Sequence, residues 1–172
     1  SASCRLKALN PAVEITTATE RLTPDNALAL LEKCDLAVDA SDNYAARFAL
    51  ADACAALRIP LVHGAVKGFI GQATVFAPHE GTACYRCLFP EETPMQEEDT
   101  ASAAGILGAH AGIIGCIQAL EALKALAGIP SPLRGGLLSA DTLRMRFTVI
   151  PLHPSPTCKC RNGGGGGAAM KN

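Results

Sequence analysis

Cys84-Tyr85-Arg86-Cys87 constrains this chain more than any other stretch. Two thiols stand three positions apart near mid-chain, and a second pair, Cys158 and Cys160, follows about 70 residues later. Two close cysteine pairs separated by a long segment are the pattern of a four-thiolate zinc site. Such a site ties the middle of the chain to its end. Four protein ligands leave no open position for water, so the metal would be structural. A redox Cys-x-x-Cys and a coincidental exposed pair are the competing readings.

The other cysteines do not suggest a disulfide framework. The chain has 172 residues and 49% hydrophobic content, enough for one domain with a sizeable core. No signal peptide opens it, and a reducing cytoplasm is the expected location. Cys34, Cys54 and Cys116 lie within apolar helical or strand patterns and read as small buried hydrophobes. A net charge of −1 and few aromatics (no Trp, two Tyr, five Phe) argue against a nucleic-acid or anionic-membrane partner.

Residues 4–9 read as the last turns of a helix stopped at Asn10-Pro11, and the β-branched run 13–17 as a strand. Thr23-Pro24-Asp25 starts a helix running to about Lys33. The run 34–40 is a strand. Ser41-Asp42-Asn43 caps a helix over 44–57, and 59–64 is another strand. Strand, helix and strand in that order form a βαβ unit with parallel strands. The run 69–76 follows without a helix and should pair antiparallel. Residues 91–101 form a polar, acidic loop. A long apolar segment spans 103–127 and carries Gly105, Gly108, Gly112 and Gly115. It contains His110, Gln118, Glu121 and Lys124 and has no basic flank, so it is a core helix and not a membrane span. Strands 137–140 and 145–150 make a hairpin, and the glycines from Gly163 to Gly167 begin a flexible tail, placed at 161–172.

Asp39-Ala40-Ser41-Asp42-Asn43 sits at the C-terminal end of a parallel strand, where open α/β sheets bind ligands. Asp42 could hold magnesium beside phosphates, or cap the following helix. Arg47 lies one turn after Asn43 and could reach the same pocket. Arg47, Lys67 and Arg86 otherwise read as surface cations. His63, His79, His110 and His153 pair with no nucleophile in the sequence pattern and read as ordinary core or surface residues.

Several of these pieces, in order, resemble the ThiF/MoeB/HesA adenylyltransferases, bacterial relatives of ubiquitin-activating enzymes. Residues 34–43 with Arg47 are similar to the family's DLVLDxTDNxxxR stretch. Residues 60–65 and 71–76 are similar to PLVSGA and GQxTVF, and 84–90 to CYRCLFP. The glycines from 105 to 115, with the run 118–124, resemble GVLGxxxGxIGxxQAxEAxK. The resemblance covers about Leu6 to Cys160. It implies a Rossmann-like, mostly parallel α/β sheet continuing into antiparallel strands, with a structural zinc site on Cys84, Cys87, Cys158 and Cys160. It also implies ATP and magnesium as cofactors, with Asp42 as the catalytic aspartate and Asp42, Asn43 and Arg47 at the nucleotide. The implied reaction is adenylylation of the C-terminal glycine of a ubiquitin-like sulfur carrier, for thiamin or molybdopterin sulfur transfer, by a homodimer. The alternative is a zinc-stapled module that binds a carrier without catalysis.

Three departures from the family pattern matter. No Gly-x-Gly-x-x-Gly follows a strand, so residues 1–160 correspond to the C-terminal two-thirds of the domain, with the nucleotide-loop unit missing; these residues alone should bind ATP poorly. Ala101 stands after Thr100, where some members place a cysteine. Cys158-Lys159-Cys160 is one residue tighter than the family's second pair.

Overall fold

The computed structural model describes residues 2–90 and 105–162. The chain opens with α1 (Ala2–Leu9), α2 (Pro24–Leu31), β1 (Ala37–Asp39), α3 (Tyr44–Leu57), β2 (Leu61–Lys67) and β3 (Ile70–Phe76). A short helix, α4 (Tyr85–Leu88), carries the first cysteine pair. Then come α5 (Gly108–Leu126), β4 (Gly136–Asp141) and β5 (Arg146–Pro151), and a 3₁₀ turn over Lys159–Asn162. The expected acidic loop over 91–101, Ala101 itself and the glycine tail from 163 onward lie outside the described residues.

The five strands form one sheet in the order β1-β2-β3-β4-β5. The β1–β2 pair is parallel, and the other three pairs are antiparallel. The sheet is therefore mixed: its continuation into antiparallel strands is the expected one, but the parallel part is a single pair among the described residues, where a mostly parallel sheet was expected. The physical reason is the short connection from β2 to β3 at Gly68, which has φ 56° and allows only an antiparallel return.

Helices cover both faces of the sheet over β1–β3, whereas β5 is exposed along its length. Side chains alternate along a strand, so β2 sends Leu61 and His63 to one side and Val62 and Gly64 to the other. On the first side Leu61 joins Ala37, Leu50, Cys54, Phe76 and Tyr85 beneath α3 and α4. On the second, Val62 joins Ala73, Val75, Leu133 and Leu138, with Ile117 and Ala122 of α5 packed against them. Small residues permit close approach where helices meet: Ala27 of α2 sits among Ala49 and Ala53 of α3.

The helix α5 begins at Gly108, not near 103. Gly105 has φ 73°, outside right-handed helix, and Ile106 forms a bridge with Gly68. Its inner stripe is His110, Ile114, Gln118 and Glu121. Buried Glu121 is paired with Lys124 and with Ser131. Such a polar stripe suits a helix packed on a sheet, and no helix among the described residues is long and apolar enough to cross a membrane.

Two other expectations are corrected. Residues 13–17 form no strand, since they lie on the surface with no partner strand among the described residues. β-branched residues favour a strand only where a ladder and a packed face exist. Cys34 and Cys116 are exposed, and only Cys54 of that trio is buried. Cys116 lies on the outer face of α5, beside exposed Ile113 and Leu120.

Candidate functional site

Two separate cavities hold most of the residues singled out by the sequence, though Asn43 and Lys67 line neither. The first, about 250 Å³, opens at the C-terminal end of β1 and is lined in part by Ser41, Asp42, Arg47, Gly64, Ala65 and Gln118. It forms because β1 and β2 run parallel and α3 leaves from the end of β1. Asn43 is the cap of α3: its backbone is extended and its Oδ1 accepts from the Ala46 N–H at 2.9 Å. Asn43 Nδ2 also donates to Asp42 Oδ1 at 3.2 Å. Asp42 therefore does not cap the helix. Its carboxylate is exposed at the mouth of the cavity.

Arg47 donates from Nη2 to the Ser41 carbonyl at 2.8 Å and passes within 3.9 Å of the Asp39 carboxylate. Its Nε is buried and has no hydrogen-bond partner among the described residues. The surface-cation reading thus fails for Arg47, whose side chain is 12% exposed. Arg86 lies elsewhere: it makes two bonds to Asp52 at 2.6–2.8 Å and lies over the Phe48 ring, on the cysteine side.

Behind the cavity stands a buried polar pair: Asp39, expected in the acidic cluster, meets His63, expected only as an ordinary core or surface histidine, and their pairing had no signal in the sequence pattern. Asp39 and His63 are 1% and 0% exposed, and His63 Nδ1 lies 2.6 Å from Asp39 Oδ2. Asp39 Oδ1 accepts from the Ser41 amide at 2.9 Å and the Ser41 hydroxyl at 2.6 Å. Gln118 Nε2 reaches across from α5 to the Asp39 carbonyl at 2.7 Å. Gly64 makes room for this, since a Cβ there would collide with the Gln118 carboxamide. Burial works to raise the Asp39 pKa, but the bonds and charge of His63 and the Ser41 donors outweigh it and hold the carboxyl below its ordinary value.

The sign of the pH effect follows. A carboxyl with a folded pKa below the unfolded value near 3.8 stabilises the fold above that pH, and the contribution is lost as pH falls through the folded value. Asp39→Asn should therefore flatten the acid limb of stability. Urea midpoints at neutral pH and near pH 3 measure it: wild type should lose more between the two than the variant.

The second cavity, about 630 Å³, is lined by Cys84, Cys87, Cys158 and Cys160 together with Asp52 and Arg86. Cys84 Sγ lies 3.6 Å from Cys87 Sγ and 3.5 Å from Cys158 Sγ. A disulfide would need about 2.05 Å. Four sulfurs on one zinc, each about 2.3 Å from the metal, stand about 3.8 Å apart. The sulfurs of Cys84, Cys87 and Cys158 lie within 4.8 Å of one another, so they fit one metal ion; Cys160 lines the cavity outside that trio. Burial, then the neighbouring thiols of Cys160, Cys158 and Cys87, push the Cys84 thiol up. Burial also works against ionisation of Cys87, but backbone hydrogen bonds at Cys84 and Ser155 bring its pKa below the usual value. Packed thiols oppose one another's ionisation, and a divalent cation is the partner that removes that conflict.

Tyr85 anchors this cluster in the core. Its ring, fully buried between the first two cysteines, meets Phe48 at 5.1 Å, Phe89 at 4.9 Å, His63 at 5.3 Å and Phe76 at 5.9 Å.

Comparison with known proteins decides the family. The ThiF family model matches residues 1–162, nearly the whole chain, which includes both cavities. The chain belongs to the ThiF family.

The chain is 42% identical over 159 residues to the maize (Zea mays) adenylyltransferase and sulfurtransferase MOCS3-2, covering 92% of this chain and 33% of that protein. It is 42% identical over 160 residues to the sulfur carrier protein adenylyltransferase of Thermus thermophilus, covering 90% of this chain and 58% of that protein. This ThiF chain thus spans about a third to three-fifths of the curated relatives it matches. Among solved structures, E. coli MccB with MccA-N7isoASN superposes with a TM-score of 0.72 at 14% identity, over 92% of this chain and 50% of that one. At that identity the likeness concerns the fold, and it agrees with the ThiF sheet described above.

Proposed function

We propose that this chain forms the part of an adenylyltransferase that carries the Asp42 loop and the cysteine cluster, and that the enzyme activates the C-terminal glycine of a ubiquitin-like sulfur carrier. The supporting observation is the cavity at the end of β1, where the exposed Asp42 carboxylate and the buried guanidinium of Arg47 face the same space. Open α/β sheets bind their ligands at that edge. Family membership and the names of the relatives support the same reading.

In this reading the carrier's glycine carboxylate attacks the α-phosphate of ATP, an acyl-adenylate forms and pyrophosphate leaves. Asp42 would hold magnesium, which when bound offsets charge on the phosphates. Arg47, on the cavity wall, would meet the phosphates. Asn43 acts through the loop, since both ends of its carboxamide are engaged with Ala46 and Asp42. Gly64 and Ala65 would line the path of the carrier tail. Cys84, Cys87, Cys158 and Cys160 would hold a structural zinc, with Cys160 completing the set. Thiamin or molybdopterin sulfur transfer in the cytoplasm is the proposed setting. The exposed Ile113, Leu120, Leu123 and Leu126 on α5 are the proposed homodimer face.

One observation favours a second reading for these 172 residues taken alone: they contain no Gly-x-Gly-x-x-Gly after a strand. They would then bind a carrier without activating it. Mass spectrometry separates the readings. The full-length protein encoded by the gene is incubated with magnesium, ATP and a carrier ending in glycine. A carrier increased by the mass of one adenylate is the expected result. Binding of the carrier with no adenylate formed would overturn the enzyme reading.

A further inference from the structure

Asp39 stands directly behind the Asp42 loop without lining the cavity. A buried carboxylate destabilises the fold unless it is paired and hydrogen-bonded. The pairing comes from the adjacent strand, because Asp39 and His63 are register partners in the parallel β1–β2 ladder and their side chains share the α3 face. His63 takes Oδ2 at 2.6 Å, which leaves Oδ1 to accept both the amide and the hydroxyl of Ser41. The Ser41 carbonyl in turn receives Arg47. One buried donor therefore stands behind a turn that presents two charged side chains to the cavity. His63 is 0% exposed, packed against Phe76 and Tyr85, and its Nε2 has no hydrogen-bond partner among the described residues. It cannot touch a substrate, and its hydrogen bond to the protein goes to Asp39.

We infer that His63 is a positioning residue: through Asp39 it fixes Ser41, and thereby the placing of Asp42 and Arg47 in the cavity. Its effect on catalysis rests on the proposed adenylyltransferase reading, whereas its effect on the loop does not. Without a donor at Oδ2 the Asp39 carboxylate must turn toward another partner or take up a proton. Either change weakens its hold on Ser41.

Two variants separate positioning from general packing. His63→Asn keeps an N–H donor at the place of Nδ1, and His63→Gln moves it outward toward the place of Nε2. Asn leaves more of the buried histidine volume empty than Gln does, so a packing role would harm His63→Asn at least as much as His63→Gln, the reverse of the order expected for positioning. Hydrogen exchange of the Ser41 amide, followed by NMR in the full-length protein, reads the loop directly. Loss of a charge-assisted bond should speed that exchange by about ten- to a hundredfold in His63→Gln, while His63→Asn stays near wild type. ATP–pyrophosphate exchange should follow the same order, with kcat falling in His63→Gln and the KM for carrier unchanged. Equal Ser41 protection in all three proteins, or equal loss in both variants, would overturn the inference. So would normal kcat in a His63→Gln protein that has lost Ser41 protection. Wild-type protein that adenylylates no carrier would defeat the proposed function alone, since the Ser41 measurement still decides the positioning role.

Discussion

Cys84→Ser should abolish the metal binding proposed for the cysteine cluster and lower the unfolding midpoint by about 8–16 °C. The magnitude follows from linkage. A metal present at about a thousand times its dissociation constant stabilises the folded state by about 4 kcal/mol, and each kcal/mol moves the midpoint of a chain this size by about 2–4 °C. Cys84 is the central sulfur, 3.6 Å from Cys87 and 3.5 Å from Cys158, so its loss breaks both closest approaches. The effect should spread inward, because Tyr85 follows it in sequence and is fully buried among Phe48, Phe76, Phe89 and His63. A chelator should reproduce the fall in wild type and add nothing in the variant. Metal analysis and thermal melts of both proteins check this. An unchanged midpoint with loss of activity would instead favour a redox Cys-x-x-Cys.

Much of this arrangement is legible in the sequence where local chemistry decides. Thr23-Pro24 starts α2, and the β4–β5 hairpin falls within a residue of its expected bounds. Both cysteine pairs line one cavity, as their spacing suggests. What escaped depends on contacts remote in sequence. Residues 13–17 have strand-forming side chains but no partner ladder among the described residues. Cys116 has the apolar neighbours of a core residue, but it lies on the outer face of α5, while the stripe His110, Ile114, Gln118 and Glu121 faces the sheet. His63 carries no local signal of its role, because its partner Asp39 is 24 residues away and meets it only through strand register. Asp42 and Asn43 could both have capped α3 by type. The extended backbone of Asn43, with its bond to Ala46, gave the cap to Asn43 and left Asp42 at the cavity.

That division of labour leads to the second large effect. Asp42→Ala should reduce adenylylation about 10²- to 10³-fold, the usual loss when one preorganised charge is removed from a reacting centre. The fold should hardly notice. Asp42 is exposed, it accepts a 3.2 Å bond from its neighbour Asn43, and the helix keeps its cap. Surface changes of that kind stay within about 0.5 kcal/mol. Arg47→Ala would be a poorer probe, because its guanidinium also holds the Ser41 carbonyl. The decisive measurement is carrier-dependent ATP–pyrophosphate exchange by the full-length protein and its Asp42→Ala variant, with thermal melts of both. Exchange that depends on the carrier in wild type, and is lost in a variant with an unchanged melt, is the predicted result. Near-normal exchange by the variant would contradict the placing of the reaction at the β1 edge.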